Sequence, residues 1–346
     1  MARRQVTSRE VAELAGVSRT TVSFVLNNVP GIKISDETRR RVWEAARHLD
    51  YYPASAARSL ASGRAYRIGI ILGEGQDPLS ADAFWPGLLQ GVTAAARKNG
   101  YRIIVQTSED VVSHDAYLGL IREQEVDGLI LSGPRSDDPV LPQLAAEGFP
   151  LVIHGHLPGL PFPCVDVDNR SGARQAVRHL VALGHRRIGF ISNAPLSQMS
   201  AQERLAGYRL ALEENGIPFD PDYVGVGNFL PESGRAAMEK LLALRHPPTA
   251  VFAAGDVIAL GAVHAIRAAG LRIPEDIALV GFDDLFFASY ITPPLTTIHV
   301  PAYGLGWTAA VVLIALLEGD TDVPSVMLDT ELVIRDSCGA KGVRTV

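Results

Sequence analysis

Apolar positions fall at helical spacing over the first fifty residues and alternate between strand-like and helix-like runs thereafter. Thr7 and Glu10 have the spacing of a capping box, and Val11, Leu14 and Ala15 follow on one helical face. Gly16 offers the permissive backbone that a tight turn needs. Ser18 is placed to cap a second helix whose buried side is Val22, Val25 and Leu26. Arg19, Thr20, Thr21, Ser23 and Phe24 are left facing outward. Two short helices joined this way form a helix-turn-helix, which offers its second helix to the DNA major groove; an ordinary helical hairpin shares the pattern. Ser35 caps a third helix, with Asp36 and Glu37 in its first turn. Val42, Ala45, Ala46 and Leu49 recur at i, i+3, i+4 and i+7, so one face packs back on the first two helices. Tyr51-Tyr52-Pro53 closes it, and residues 54–60 make only about two turns of helix, marginal on their own, before a linker around Gly63.

From Arg67 the pattern changes. RIGIIL (67–72), YRIIVQT (101–107), VDGLIL (126–131) and PLVIHG (150–155) read as strands, separated by helices at 86–99, near 114–124 and near 140–147. It restarts after Asp168, with a helix at 170–183, a strand RIGFIS (187–192) and helices at about 200–215 and 232–244. TAVFAA (249–254) and IALVGFDD (277–284) flank a further helix at 257–269. Such β-α repetition predicts parallel sheets covered on both faces. RIGII at 67–71 echoes RIGFI at 187–191, and NGY at 99–101 echoes NGI at 215–217, which points to two similar α/β halves. Ligands of open parallel sheets sit at the carboxyl ends of the strands, so two facing halves predict a cleft.

Charge sharpens the division. Residues 1–64 carry 11 Lys/Arg against 6 Asp/Glu, a balance of +5, whereas the remainder carries 21 against 32, a balance of −11. A basic head on an acidic body fits a head that meets phosphate. The chain of 346 residues, 47% hydrophobic, suits two or three globular domains. It shows no apolar run of membrane-spanning length, and its N-terminus is not a secretory signal, so the expected compartment is the cytoplasm. Cys164 and Cys338 make neither a disulfide framework nor a zinc site. GEGQDP (73–78) lacks the third glycine of a dinucleotide loop, and P-loop, HExxH and GxSxG motifs are absent, so no enzyme, cofactor or metal is expected. His154 and His156 alone are too few to ligate a metal. Asp166 and Asp168, in VDVDN, read as a structural segment.

The segments VAELAGVSRTTVSFVLN, SDETRRRVWEAARHLDYYP and AARSLASGR closely resemble the lactose/galactose repressor (LacI/GalR) family of bacterial transcription regulators, over nearly the whole chain. The resemblance implies an all-α helix-turn-helix head plus an α/β periplasmic-binding-protein-like body of two parallel-sheet subdomains. The head would be 1–52, a hinge helix and linker 53–65, and an effector-binding and dimerisation body 66–346. Within the body, one subdomain would hold about 66–168 and 298–328, and the other about 169–297 and 329–346, with crossings near Asp168, Thr296-Thr297 and Leu328. Helix 303–317 would return to the first subdomain and ELVIRDS (331–337) to the second.

The same resemblance implies the residue roles. Thr7, Ser18, Arg19, Thr20, Thr21, Ser23, Phe24 and Asn27 would meet a pseudo-palindromic double-stranded DNA operator. In the hinge, Ala57 and Arg58 would enter the minor groove, and Leu60 would wedge between bases, at a few kcal/mol of unstacking offset by added contact. The family usually has arginine where this chain has Phe24; arginine reads both acceptors of guanine and phenylalanine does not, so the operator should differ there. A small-molecule effector, a carbohydrate before a purine, would meet Arg204 and Asp283 with charge-assisted bonds, Trp85 and Phe229 as flat faces, and Asp256 nearby. His154 and His156, at a strand end near the cleft, read either as further ligand contacts or as an exposed loop pair. Gly255 replaces a side chain common in the family. The implied protein is a homodimeric repressor, not an enzyme, switched by that effector.

Overall fold

Local capping starts the head. The computed structural model describes residues 6–26, 31–51, 63–73, 84–107, 114–133 and 138–340, the side chains of residues 114–116 excepted. Helix α1 (Ser8–Ala15) is opened by Glu10, whose carboxylate accepts from the Thr7 amide at 2.8 Å and from the Thr7 hydroxyl at 3.0 Å. It ends at Gly16, whose φ of 65° is the left-handed conformation that glycine adopts without strain. Helix α2 (Arg19–Leu26) is capped by Ser18 Oγ, which accepts from the Thr21 amide at 3.0 Å. Helix α3 (Asp36–His48) is capped by Ser35, with acidic residues in its first turn and Arg47 and His48 in its last, matching the helix dipole at both ends. Val11, Ala12, Ala15, Val22, Val25, Val42, Ala45 and Ala46 form the buried centre of the three. Leu14 is 53% exposed, because the small crossing centres the apolar face on Val11, Ala12 and Ala15.

Residues Met1–Tyr66 and Arg67–Val346 form two separate compact units. In the second, the first half comprises β1 (Arg67–Leu72), α4 (Phe84–Lys98), β2 (Arg102–Thr107), α5 (His114–Arg122), β3 (Gly128–Ser132), α6 (Leu141–Ala146), β4 (Leu151–His154) and β5 (Cys164–Val167). The second half continues with α7 (Asn169–Ala182), β6 (Ile188–Ile191), α8 (Met199–Glu214), β7 (Val224–Gly225), α9 (Pro231–Leu242), β8 (Ala250–Ala253), α10 (Asp256–Ala268), β9 (Ala278–Asp283) and β10 (Thr296–His299). The chain then runs through α11 (Ala302–Glu318), β11 (Val326–Leu328) and β12 (Glu331–Val333).

Two six-stranded sheets result, in the orders β11-β5-β4-β3-β1-β2 and β12-β10-β9-β8-β6-β7. All described pairings are parallel except β10 with β12. The central strands, buried on both faces, are continuous apolar runs such as Ile68-Gly69-Ile70-Ile71-Leu72, whereas the edge strand β2 is largely exposed or half-buried. Phe190, Phe252 and Phe282, on adjacent strands of the second sheet, pack as tilted rings through its core with centroids 5.7 and 6.3 Å apart. The segment Thr296–His299 pairs with β9 from Thr296↔Val280 to His299↔Asp283. The second crossing therefore follows His299, and Ile298 belongs to the second sheet, not the first. A whole strand must be laid down before the chain can leave.

Helix α11 returns to the first half and packs on α4 through paired glycines. A Cβ on Gly306 would stand 2.0 Å from the Leu88 carbonyl, and one on Gly91 2.1 Å from the Tyr303 carbonyl, so only glycine admits this backbone approach. The pairing α9–α10 repeats the device in the second half, with Gly261 against the Pro231 carbonyl and Gly234 against that of Ile258. Among the described residues no helix is long and apolar enough to cross a membrane.

Candidate functional site

The carboxyl ends of both sheets open on one cleft of about 1070 Å³, open solvent included. The first half contributes an aromatic wall. Phe84 and Trp85, at the start of α4, meet edge to face with centroids 5.5 Å apart. His154, the last residue of β4, stacks on Phe84 at 5.8 Å and bonds Ser132 through Nδ1 at 2.7 Å. Burial lowers the His154 imidazole to about 4, so the ring is neutral at neutral pH. It serves as a flat apolar surface with a polar edge.

The second half contributes a polar wall built on Arg204 of α8. Its guanidinium lies 3.8 Å from the Phe282 ring centroid. Nε donates to Asn169 Oδ1 at 2.8 Å, and Nη1 donates to the Ala254 carbonyl at 2.7 Å and lies 3.5 Å from Asp283 Oδ1. Arg204 is thus held as a plane at a fixed angle by three different elements. Asn169 is fixed in turn: its amide donates to both oxygens of Asp166 at 3.2 Å and to the Val167 carbonyl at 3.3 Å. Asp166, on β5, also accepts from the Val167 amide at 2.8 Å. A bonded chain therefore runs from the first sheet through Asp166, Asn169 and Arg204 to Asp283 on the second. Burial lifts the Asp166 carboxyl to about 6, against the opposing pull of the Val167 amide, Arg204, Asn169 and His156.

Asp283 has φ of 109° and Phe229 of 56°, conformations that cost a side-chain-bearing residue on the order of 1–3 kcal/mol each. Both line the cleft. The next residue, Asp284, also has positive φ, and Arg335 Nη2 at 2.6 Å and His299 Nδ1 at 3.1 Å hold its carboxylate.

Of the expected effector residues, Trp85, His156, Arg204, Phe229 and Asp283 line this cleft, with His156 exposed. Asp256 does not. It is fully buried behind the wall, where Oδ2 accepts from the Leu285 amide and Oδ1 from the Thr297 hydroxyl, both at 2.7 Å. Its carboxyl is pushed well up by burial and by neighbouring Asp283. A Cβ on Gly281 would fall 2.2 Å from Asp256 Oδ1, so glycine there makes room for the carboxylate. Asp256 fastens the loop that carries Asp283 and Asp284 and presents nothing to a ligand.

Sequence reasoning missed Phe84, Ser132, Asp166, Asn169, Asn193, Gln198 and Ser200, all of which line the cleft. The VDVDN segment, read as merely structural, supplies two of them; its position at the first crossing was the signal. Gly255 also lines the cleft, and a Cβ there would lie 3.3 Å from Asn193 Cβ and 3.6 Å from Asp283 Oδ2. The missing side chain leaves room in the polar wall.

In the head, Arg19 and Thr20 are exposed on α2, while Thr21, Ser23 and Phe24 are partly exposed. Thr7 and Ser18 are exposed at the starts of α1 and α2, with Ser18 Oγ occupied in its cap. Asn27, Ala57, Arg58 and Leu60, and with them the expected hinge helix, lie outside the described residues, as does most of GEGQDP. No group of three His, Cys, Asp or Glu among the described residues is placed to hold a metal ion.

Comparison with known proteins agrees with both units. Residues 7–54 match the bacterial regulatory proteins, lacI family, and residues 177–338 match a periplasmic binding protein-like domain. The HTH-type transcriptional regulator CelR of Thermobifida fusca is 38% identical over 97% of this chain and 99% of its own. The HTH-type transcriptional repressor CytR of Escherichia coli strain K12 is 35% identical over 96% of each. Among solved structures, a transcriptional regulator CelR–cellobiose complex superposes with a TM-score of 0.75 at 36% identity, covering 96% of this chain and 100% of that one. The lac repressor dimer bound to operator and the anti-inducer ONPF does so with a TM-score of 0.85 at 32% identity, covering 97% and 100%. The chain belongs to the lacI family of bacterial regulatory proteins, as a DNA-binding transcriptional regulator with an effector-binding, periplasmic-binding-protein-like body.

Proposed function

We propose that this regulator is a repressor whose effector is a carbohydrate held between the aromatic wall of Phe84, Trp85 and His154 and the polar wall of Arg204 and Asp283. The observation that carries the reading is the pairing of those two walls. Flat apolar faces suit the C–H faces of a sugar ring, and a fixed guanidinium beside a carboxylate can donate to and accept from vicinal hydroxyls. The cellobiose in the CelR structure supports the same class. Trp85, Phe229 and His156 border the ligand; Arg204 and Asp283 orient it.

The head reads DNA through α2. Arg19, Thr20, Ser23 and Phe24 face the bases, and the amides at the starts of α1 and α2, beside Thr7 and Ser18, meet phosphate. Asn27 extends that surface, while Ala57, Arg58 and Leu60 act in the minor groove, as the family resemblance implies. Each head reads one half-site, so the working species is a homodimer on a pseudo-palindrome, in the cytoplasm where its DNA is. Effector shifts the population between two arrangements of the lobes in proportion to its different affinities for them, and DNA affinity follows.

Thermal-shift screening of the full chain against sugars and nucleobases tests the effector class. A sugar should raise the melting temperature by mass action, and Asp283→Ala should erase that rise. Stabilisation by nucleobases alone would replace the carbohydrate reading with a purine one. Stabilisation of the Asp283→Ala variant by the same sugar would remove Asp283 from the site.

A further inference from the structure

The charges of the cleft wall do not cancel. Among the described lining residues the fixed charges are Arg204, Asp166 and Asp283, with His156 at the rim and His154 neutral. Arg204 is already matched: Asp283 stands against it, the Ala254 carbonyl and Asn169 take its donors, and the Phe282 ring covers one face. Asp166 remains as a second carboxylate, with no second guanidinium or ammonium beside it among the described lining residues. At pH 7.5 it carries its charge.

Asn193 adds no positive charge to this wall. Asn193 Oδ1 is buried at the cleft wall with no donor from the described residues, while its amide nitrogen is spent on Ser200 at 3.2 Å. With two carboxylates against one guanidinium, the wall favours hydrogen-bond donors and resists negative charge.

We propose that Asp166 is the charge-selectivity residue of the cleft, so that the effector is an uncharged, donor-rich saccharide and its acidic counterparts, such as uronic and aldonic acids, are refused. This rests on the carbohydrate reading given above. Two like charges about 5 Å apart in a partly buried site repel strongly enough to weaken binding on the order of 100-fold. Asp166 differs here from Asp283, whose charge is paired with Arg204 and serves to orient the ligand. Asp166 stands on the other half of the body; Arg204 attracts it through space, but its hydrogen bonds go to Asn169 and the Val167 amide and not to the guanidinium. An asparagine at this position removes the charge but keeps an amide oxygen that can accept from Asn169, so it should change which ligands enter more than how a neutral ligand is oriented.

The test is calorimetric titration of the full chain at pH 7.5 with matched pairs: cellobiose and cellobionate, glucose and glucuronate, ribose and ribonate. In the wild type one neutral sugar should bind, and its acid should bind at least 100-fold more weakly. Asp166→Asn should narrow that ratio at least tenfold, and Asp166→Glu, which keeps the charge, should preserve it. Circular dichroism confirms that each variant is folded; if Asp166→Asn is not, Asp166→Ser removes the charge with a smaller side chain. An acid bound as tightly as its neutral partner by the wild type would overturn the proposal while leaving a carbohydrate effector standing. So would an unchanged ratio in the charge-free variant. Binding of neither member of any pair would overturn the carbohydrate reading itself, and this inference with it.

Discussion

At the scale of single residues, the body uses burial to set charge. His154 is held neutral by its surroundings, with its pKa lowered from 6.5 to about 4. The unfolded chain then binds the proton more tightly than the folded one between those values. Its stability contribution is present above pH 6.5 and is lost as pH falls toward 4, by on the order of 3 kcal/mol at 1.36 kcal/mol per pKa unit. Asp166 acts in the opposite sense: its raised carboxyl favours the folded state as pH falls from about 6 to 3.8. Melting curves of the wild type and of His154→Gln at pH 7 and pH 4.5 separate the two. The wild type should lose more stability on acidification than the variant, and equal losses would show that His154 is not the group responsible. The residue types at the site were partly legible in the sequence. Arg204, Asp283, Trp85 and Phe229 stood in recognisable motifs, but motif membership does not say which oxygen faces the cleft. Asp256 matches a family motif position beside Gly255, and that match implies a ligand contact. Its carboxylate faces inward, toward Thr297 and Leu285, and only the fold shows that.

At the scale of elements, continuous apolar strands and capped helices were legible because parallel sheets bury both faces and write themselves as unbroken hydrophobic runs. Short strands were not. Val224–Gly225, Val326–Leu328 and Glu331–Val333 have two or three residues each and are defined by their neighbours. Thr296–His299 begins with two threonines, which read as a crossing although both are fully buried. The α4–α11 contact was equally hidden, since a glycine in a helix reads as a weakness until its partner is known. Gly306→Ala should force the two backbones apart and cost about 1–3 kcal/mol. Gly119→Ala, inside α5 with nothing within 4 Å of the added carbon, should instead stabilise by about 0.5–1 kcal/mol through helix propensity. Urea denaturation of both variants gives the comparison; similar behaviour of the two would mean that the close approach does not constrain the fold.

At the scale of the whole molecule, a basic reader of DNA and an acidic ligand-binding body occur in one chain, and their coupling is a free energy that must be the same seen from either end. The cleft joins two halves through strands and helices that cross three times, so a ligand touching both halves biases their arrangement. The bonded chain from Asp166 to Asp283 runs through both. Effector control therefore requires that the ligand prefer one arrangement, and no tightness of binding substitutes for that preference. The direct measurement is a reciprocal one on the full chain: affinity for a palindromic operator duplex with and without saturating cellobiose, or whichever sugar the thermal screen identifies, and affinity for that sugar with and without the duplex. The two ratios should be equal and at least tenfold, and both should vanish in Asp283→Ala. A sugar that binds tightly while operator affinity stays unchanged would contradict the account.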